Sequence, residues 1–600
     1  MHFQNKIKST LALQVTLPKV AALVAFSTLF LGIQPLAYGQ NILPGAVEPE
    51  REVPILPEAV EDDIVTVPSA GARPVDLDAG PKINVKEFVV VYDDETLIAA
   101  NQRSNVKTIT ADYLNINGNE LSLAQLEDVA FLLTQYFRQS GFMLAQAILP
   151  AQEVEKGSIL MRVYVGKLGS VASADNNLYS NKIVQRRFHR HIGDAVSVES
   201  VESNILRLND MPGFSSVAQF KAGENVGETR LTVKAVEEDP VSYFASIDNH
   251  GVESTGDVRL LLGVDINNVT GHIDRLSIDG VKTFNPGDLR NARINYEITH
   301  PDLVHTLGLS FSETRYDVEG AGRAIKDNGI HGDTEIGQFY LDSQWIRQRN
   351  INVATRVGLA LKRADVEFQA FNSEQGVDRL TVLEVGIVAD AVDTRFRGIH
   401  RASLTFSHGF NDTFGSMDGV GNGQSLGRVN GDQALAGQFN KINASYSRLQ
   451  SLVRNQSLLF RFNGQHSDDM LSSLEKMSLG GPYTVRAYPV AEYVRDTAVF
   501  TSLAWVLNGA ALSNAIAYDD YTWGDIFSVS LFADYGWGKL KDGAGGPNDK
   551  VDISGWGAEA EFTFPNVNTY ARLAVARPFD SSEASNGEEF QYWVSLGVNF

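Results

Sequence analysis

Six hundred residues are enough for several domains with cores of their own. The 51 Lys and Arg against 73 Asp and Glu leave a formal net charge of −22, which argues against a nucleic acid partner, because neutralising phosphates needs clustered cations. The chain has no cysteine, so disulfides, thiolate chemistry and Cys-ligated zinc are excluded, and the absence fits an exported envelope protein.

Residues 1–39 read as an export signal. Lys6, Lys8 and Lys19 supply positive charge, no acid precedes Glu48, and an apolar run follows over 20–33. Ala37 and Gly39 are small residues where a signal peptidase inspects, which places cleavage near Gly39–Gln40. A run of 14 residues is too short to cross a hydrocarbon core of about 30 Å as a helix. No later stretch is long enough either, so a membrane location requires a closed barrel. Residues 40–82 hold seven of the nineteen prolines and many acids, the composition of an extended periplasmic linker.

Two small modules come next. In 83–166, INVKEFVVVY reads as a strand and 122–141 as a helix, with Ser122 and Gln125 forming a capping box and Gly141 closing the end. Leu126, Val129, Ala130, Leu133, Tyr136 and Phe137 share one face of that helix. Strands are expected at 142–149 and 158–165. Residues 167–240 repeat the plan loosely, with a helix over 197–210 capped by Ser197 and strands at 215–223 and 228–236. Such modules expose strand edges to which an unfolded polypeptide can add, and segments within 142–165 or 215–236 are the expected receiving edges.

From 241 to 600 the chain alternates apolar and polar residues in segments of about ten, the pattern of a transmembrane barrel. Phe527, Val529, Leu531, Ala533, Tyr535 and Trp537 oppose Ser528, Ser530, Phe532, Asp534 and Gly536. Trp556, Ala558, Ala560, Phe562 and Phe564 oppose Gly557, Glu559, Glu561 and Thr563. Sixteen antiparallel strands are expected, near 242, 258, 274, 291, 306, 335, 352, 379, 399, 436, 456, 497, 526, 552, 568 and 590. Long connections follow odd strands and short ones follow even strands, as in outer-membrane barrels; 508–525 breaks the rule. A soluble all-β repeat protein would also alternate, but the export signal, the aromatic outward faces and the aromatic last residue favour the membrane barrel. A barrel of this size can enclose an aqueous lumen, and the chain order puts both modules on the periplasmic side.

Against this background the segment 136–171 resembles the first POTRA domain of two-partner secretion (TpsB) transporters, the ShlB/FhaC/HecB group within the Omp85 superfamily. The matching features are Gly141-Phe142, Pro150-Ala151-Gln152, Gly157 and Val165-Gly166. Residues 206–235 resemble the second POTRA domain, and 247–256 the approach to the barrel. The resemblance implies an outer-membrane pore that exports one large TpsA-type partner, an adhesin or haemolysin, which arrives unfolded and folds outside without nucleotide hydrolysis. It implies no cofactor and no metal.

The resemblance also gives a meaning to LGGPYTVRAYP at 479–489. The family carries a Val-Arg-Gly-Tyr-type motif on the sixth extracellular loop, which folds back into the lumen. Its arginine pairs with the aspartate of a Phe-x-Asp motif on strand thirteen. Here Val485, Arg486, Ala487 and Tyr488 match the first motif, and Phe532, Ala533 and Asp534 the second. Lumen-facing Glu559 and Glu561 are expected to share the charge. Ala487 stands where the family has glycine, which would be uncomfortable at positive φ. The family often has an N-terminal plug helix, but Pro44, Pro49, Pro54 and Pro57 leave little uninterrupted helix here. Phe600 is expected to act as the terminal signal for the barrel assembly machinery, and membrane lipids are the remaining partner.

Two other functions compete with this reading. An Omp85-type insertase usually carries more POTRA modules. An outer-membrane enzyme finds no support in His250, His272, His300, His305, His331, His400, His408 and His466, whose spacing suggests neither a triad nor a metal site, nor in any Gly-rich phosphate loop.

Overall fold

The computed structural model describes residues 64–66, 73, 76–78 and 80–600, apart from 155, 285–286, 319–329, 369–372, 419–434, 542–548 and 580–583. The expected leader, most of the linker and the position of a plug helix at 40–51 lie outside the described residues.

In the first α/β unit, Glu87–Tyr92, Ser158–Tyr164 and Gln146–Ile148 form a sheet with Ser158–Tyr164 in the middle. The helix Leu123–Gln139 packs on it. The Ser122 Oγ accepts from the Gln125 N–H at 3.1 Å and the Gln125 Oε1 accepts from the Ser122 N–H at 2.8 Å, so both halves of the capping box are made. Leu126, Val129, Ala130, Leu133 and Phe137 are buried as their spacing predicts, while Tyr136 is half-buried. A second helix, Ala100–Asn117, was not foreseen. Its sequence is mostly polar and buries only Val106, Thr110 and Tyr113, so no apolar stripe announces it. The strand expected over 142–149 shrinks to Gln146–Ile148 because Phe142 to Leu144 turn out of the helix.

The second unit has the sheet order Val65–Thr66, Phe214–Ala222, Glu228–Glu238, Lys167–Ala174. It too has two helices, Asn181–His189 and Val198–Asn209, where one was expected. Ser197 occupies the N-cap position of the latter, but its side chain makes no capping bond. The edge expectation narrows. Ser158–Tyr164 and Glu228–Glu238 are interior strands, and the outer edge of Phe214–Ala222 already carries Val65–Thr66 in parallel register, with the Ala218 N–H donating to the Ile64 carbonyl at 2.8 Å.

Residues 241–599 form a closed antiparallel barrel of sixteen strands, starting with Val241–Asp248 and ending with Gln591–Asn599. These two strands pair, Phe244 with Asn599 through Asp248 with Ser595, and close the cylinder. Every expected strand is present. The connection 509–526 is long in the structure as well, with a short hairpin and helix of its own, so the strand ends on either side of it stand.

The second unit is fastened to the rim of short turns. Arg207 is buried; its Nη1 donates to the carbonyls of Leu303 and Gln344 at 3.1 and 3.0 Å, and its Nη2 to that of Trp345 at 3.2 Å. Ion pairs Arg347–Asp210 at 2.7 Å and Arg349–Glu202 at 3.1 Å flank it. Replacing Arg207 by Ala strands three carbonyls and is expected to weaken the docking by about 2–3 kcal/mol. Hydrogen exchange of the full chain should then speed up around 300–304 and 344–349 while barrel-strand amides keep their protection.

Candidate functional site: a loop held inside the barrel

The connection 467–496 joins the eleventh strand, Gln456–His466, to the twelfth, Thr497–Asn508. It does not stand out in solvent. Met477, Leu479, Val485, Ala487, Tyr488, Ala491 and Val494 are buried in one apolar cluster with wall residues Val281, Tyr316, Val366, Phe500, Phe532 and Ile553. Gly480 and Gly481 have φ of 109° and 99°, and a Cβ on Gly480 would sit 2.3 Å from the Pro489 carbonyl. These glycines let the loop reverse tightly, with the Gly481 N–H donating to the Tyr488 carbonyl at 2.9 Å.

That reversal presents Arg486 to the thirteenth strand, Phe527–Lys539, and the fourteenth, Lys550–Phe564. Arg486 is 4% exposed. Its Nε and Nη2 donate to the two carboxylate oxygens of Asp534 at 2.9 and 2.8 Å, a bidentate pair. Its backbone N–H adds a third bond to Asp534 at 3.1 Å. Nη1 reaches Glu559 at 3.1 Å and Nη2 the Ser502 hydroxyl at 3.1 Å. The guanidinium lies 3.2 Å from the Phe532 ring centroid, and the indole Nε1 of Trp593 donates to the Arg486 carbonyl at 2.8 Å. Glu561 takes no part; it pairs with Arg572 at 2.8 Å, which corrects the expectation that it shares the Arg486 charge. Phe600 sits elsewhere, exchanging backbone bonds with Tyr243 at 2.9 and 3.1 Å across the barrel seam.

Ala487 is not strained, because its φ is not positive. Its methyl group uses the space beside a glycine of the barrel wall: a Cβ on Gly555 would fall 2.2 Å from the Ala487 Cβ and 2.8 Å from the Arg577 carbonyl. The Gly555→Ala variant is therefore expected to lose about 1–3 kcal/mol. Adding Ala487→Gly should restore part of that loss, read as the unfolding midpoint of the detergent-solubilised barrel in denaturant.

Sequence reasoning missed a second anchor, on strands further round the wall. Glu475, fully buried, lies 2.6 Å from both Lys362 and Lys441, on the seventh strand, Ile351–Phe368, and the tenth, Phe439–Ser451. Lys362 is also 3.8 Å from Glu384 on the eighth strand, Ser373–Asp393, and the Ser472 hydroxyl bonds Asp378 on that strand. Alternation could have marked Lys362 as an inward cation, between inward Ala360 and Ala364, but no spacing in the chain says that a loop more than a hundred residues later supplies its carboxylate. The loop is thus fixed at two internal points, Glu475 and Arg486. Glu475→Ala takes from two buried ammonium groups the carboxylate nearest them, leaving Lys362 only the more distant Glu384, and should cost about 3–5 kcal/mol. Exchange of the 471–479 amides should rise sharply while those of 484–488 change far less.

A family model described as haemolysin secretion/activation protein ShlB/FhaC/HecB matches residues 227–562, and one described as POTRA domain, ShlB-type, matches 98–166. The fold and lumenal loop define an outer-membrane β-barrel transporter with periplasmic POTRA domains. The chain belongs to the ShlB/FhaC/HecB family of two-partner secretion transporters, whose general role is secretion. It is 27% identical over 516 residues to the heme/hemopexin transporter protein HuxB of Haemophilus influenzae, covering 84% of this chain and 87% of that one. It is 22% identical over 425 residues to the outer membrane transporter CdiB of Escherichia coli, covering 68% and 66% of the two chains. In fold it is similar to CdiB from Escherichia coli, with a TM-score of 0.63 at 18% identity over 90% of this chain and 94% of that one. It also resembles BamA from Haemophilus ducreyi lacking POTRA domains 1–3, with a TM-score of 0.53 at 13% identity over 86% and 100%.

Proposed function

We propose that this transporter receives one large, unfolded TpsA-type exoprotein of the adhesin or haemolysin kind on its POTRA domains and passes it outward through the barrel. The two α/β units correspond to 83–166 and 167–240, preceded by a signal at 1–39 and a linker at 40–82 and followed by the barrel at 241–600. The receiving edge is Gln146–Ile148, a short edge strand in the first unit's sheet. Backbone addition there accepts many sequences, which suits an unfolded client. Phe600 serves as the assembly signal during insertion, and lipids surround the outward faces. The family membership favours this reading over the insertase.

The observation that carries the reading is the lumenal loop bonded through Arg486 to Asp534 and Glu559. It occupies the client's path, and its ion pairs can be exchanged for water when it moves. Because the chain lacks cysteine, the idea has a clean test. A Cβ at Gly536 would lie 2.8 Å from Val485 Cγ2, within disulfide reach. In the Val485→Cys, Gly536→Cys variant, oxidation should stop secretion of the partner encoded beside the transporter, and reduction should restore it. Undiminished secretion in the fully oxidised state would refute loop displacement; no partner in the medium under any condition, with wild-type transporter, would refute the client assignment.

A further inference from the structure

The connection 509–526 joins the twelfth and thirteenth strands on the rim where the other described turns hold three to six residues, as between Arg347 and Ile351 or Asn267 and Asp274. It is a small folded element: the turn Gly509–Ala511, the hairpin of Ile516–Tyr518 with Tyr521–Thr522, and the helical turn Trp523–Ile526. Its polar groups are largely satisfied within itself. Asn508 donates to the Gly524 carbonyl at 2.8 Å and accepts from the Ala510 N–H at 2.9 Å. Asp525 accepts from the Thr522 N–H and hydroxyl at 2.9 and 2.8 Å, and Asp519 from the Asn566 amide at 2.6 Å.

Its apolar side chains, by contrast, face outward. Leu512, Ile516, Tyr518 and Trp523 are 65%, 66%, 54% and 38% exposed. Two of them continue the lipid-facing surface of the barrel. The Trp523 ring meets Phe527 edge-on at 6.0 Å, Phe527 lies 4.7 Å from Phe562, and Tyr518 meets Phe564 at 6.3 Å. Period-two alternation puts Phe527, Phe562 and Phe564 on the face opposite to Asp534 and Glu559, that is, toward lipid. Ile516 is as exposed as Tyr518, across a bulged step in the hairpin's register. Trp345 and Phe396, 57% and 60% exposed near other turns of the same rim, mark the level at which aromatic residues ring the cylinder.

We propose that 509–526 is an interfacial anchor. Ile516, Tyr518 and Trp523 lie in the boundary between headgroups and acyl chains of the periplasmic leaflet, directly beneath the wall that carries Asp534 and Glu559. A backbone bonded within itself can enter that zone without stranding donors. The segment holds Asp519, Asp520 and Asp525 but no Lys or Arg, so the attraction is apolar and aromatic rather than electrostatic, and zwitterionic lipid suffices.

The full chain has no native cysteine to interfere with labelling. Ile516→Cys and, separately, Asp520→Cys are spin-labelled and reconstituted into phosphatidylcholine vesicles, and collision with oxygen and with a water-soluble nickel chelate is measured. The expected result is a ratio of oxygen to nickel accessibility several-fold higher at 516 than at 520, unchanged by 0.5 M salt, where the Debye length is about 4 Å. Equal ratios would place the element in water and overturn the proposal. Protection at 516 from both reagents would overturn it in favour of a protein cover. In parallel, Trp523→Phe should remove a measurable part of the tryptophan quenching by brominated lipid; no change would count against the anchor.

Discussion

A guanidinium held out of bulk water organises this molecule. Arginine cannot shed its charge, so an Arg486 that is 4% exposed demands partners in fixed directions. Asp534, Glu559 and Ser502 provide them from three successive strands. All three face the lumen only because the twelfth to fourteenth strands pair in one register: Ser502 stands opposite Asp534, and Asp534 opposite Gly555. A slip of one residue would turn each carboxylate toward lipid and each outward aromatic into the lumen. Strand register and loop position therefore reinforce one another.

The second anchor changes how the loop can move. Glu475 with Lys362 and Lys441 holds the loop to the seventh and tenth strands, three to six strands round the barrel from Asp534 on the thirteenth, so the loop is held at two places rather than hanging from one point. A single released end leaves the other half of the loop, with its apolar contacts to Phe500, Val366 and Tyr316, in place. Buried ion pairs contribute modestly to stability compared with apolar residues of similar shape, but they bind strongly to their own partners and poorly to anything else. That property suits a part that must sit in one place at rest and be rehydrated when it leaves.

On the periplasmic side the coupling is equally specific. Arg207 bonds backbone carbonyls on the turn 300–304 and at the end of the strand Ile330–Arg347, so the second α/β unit is seated on the rim of the barrel. Lys167, at the start of that unit, pairs with Asp94 of the first at 2.8 Å, and its hydrogen bond, joined by those from Thr96, holds the Asp94 carboxyl down at about 2. Ile64 enters the second unit's core and Arg73 binds Asp128 of the first at 2.6 and 2.9 Å, so the segment that precedes the units touches both.

Period-two alternation, the rhythm of long and short connections, the capping box at Ser122 and the motif around Arg486 were all legible in the chain, because each depends on residues near one another in sequence or on a strict strand period. The helix Ala100–Asn117 was not, since its few apolar residues form no stripe, and Asn181–His189 was not, since its apolar face of Val184 and Phe188 is carried on only nine residues rich in Lys and Arg. Glu561 was assigned to the wrong cation because its face could be read but its distance from Arg572 could not. By itself the sequence determined that this chain closes into a lipid-embedded cylinder behind two small α/β units. Only the tertiary structure decided which charges meet across the hollow, as with Glu475 and its two lysines, because closure brings together strands whose spacing along the chain carries no record of the contact.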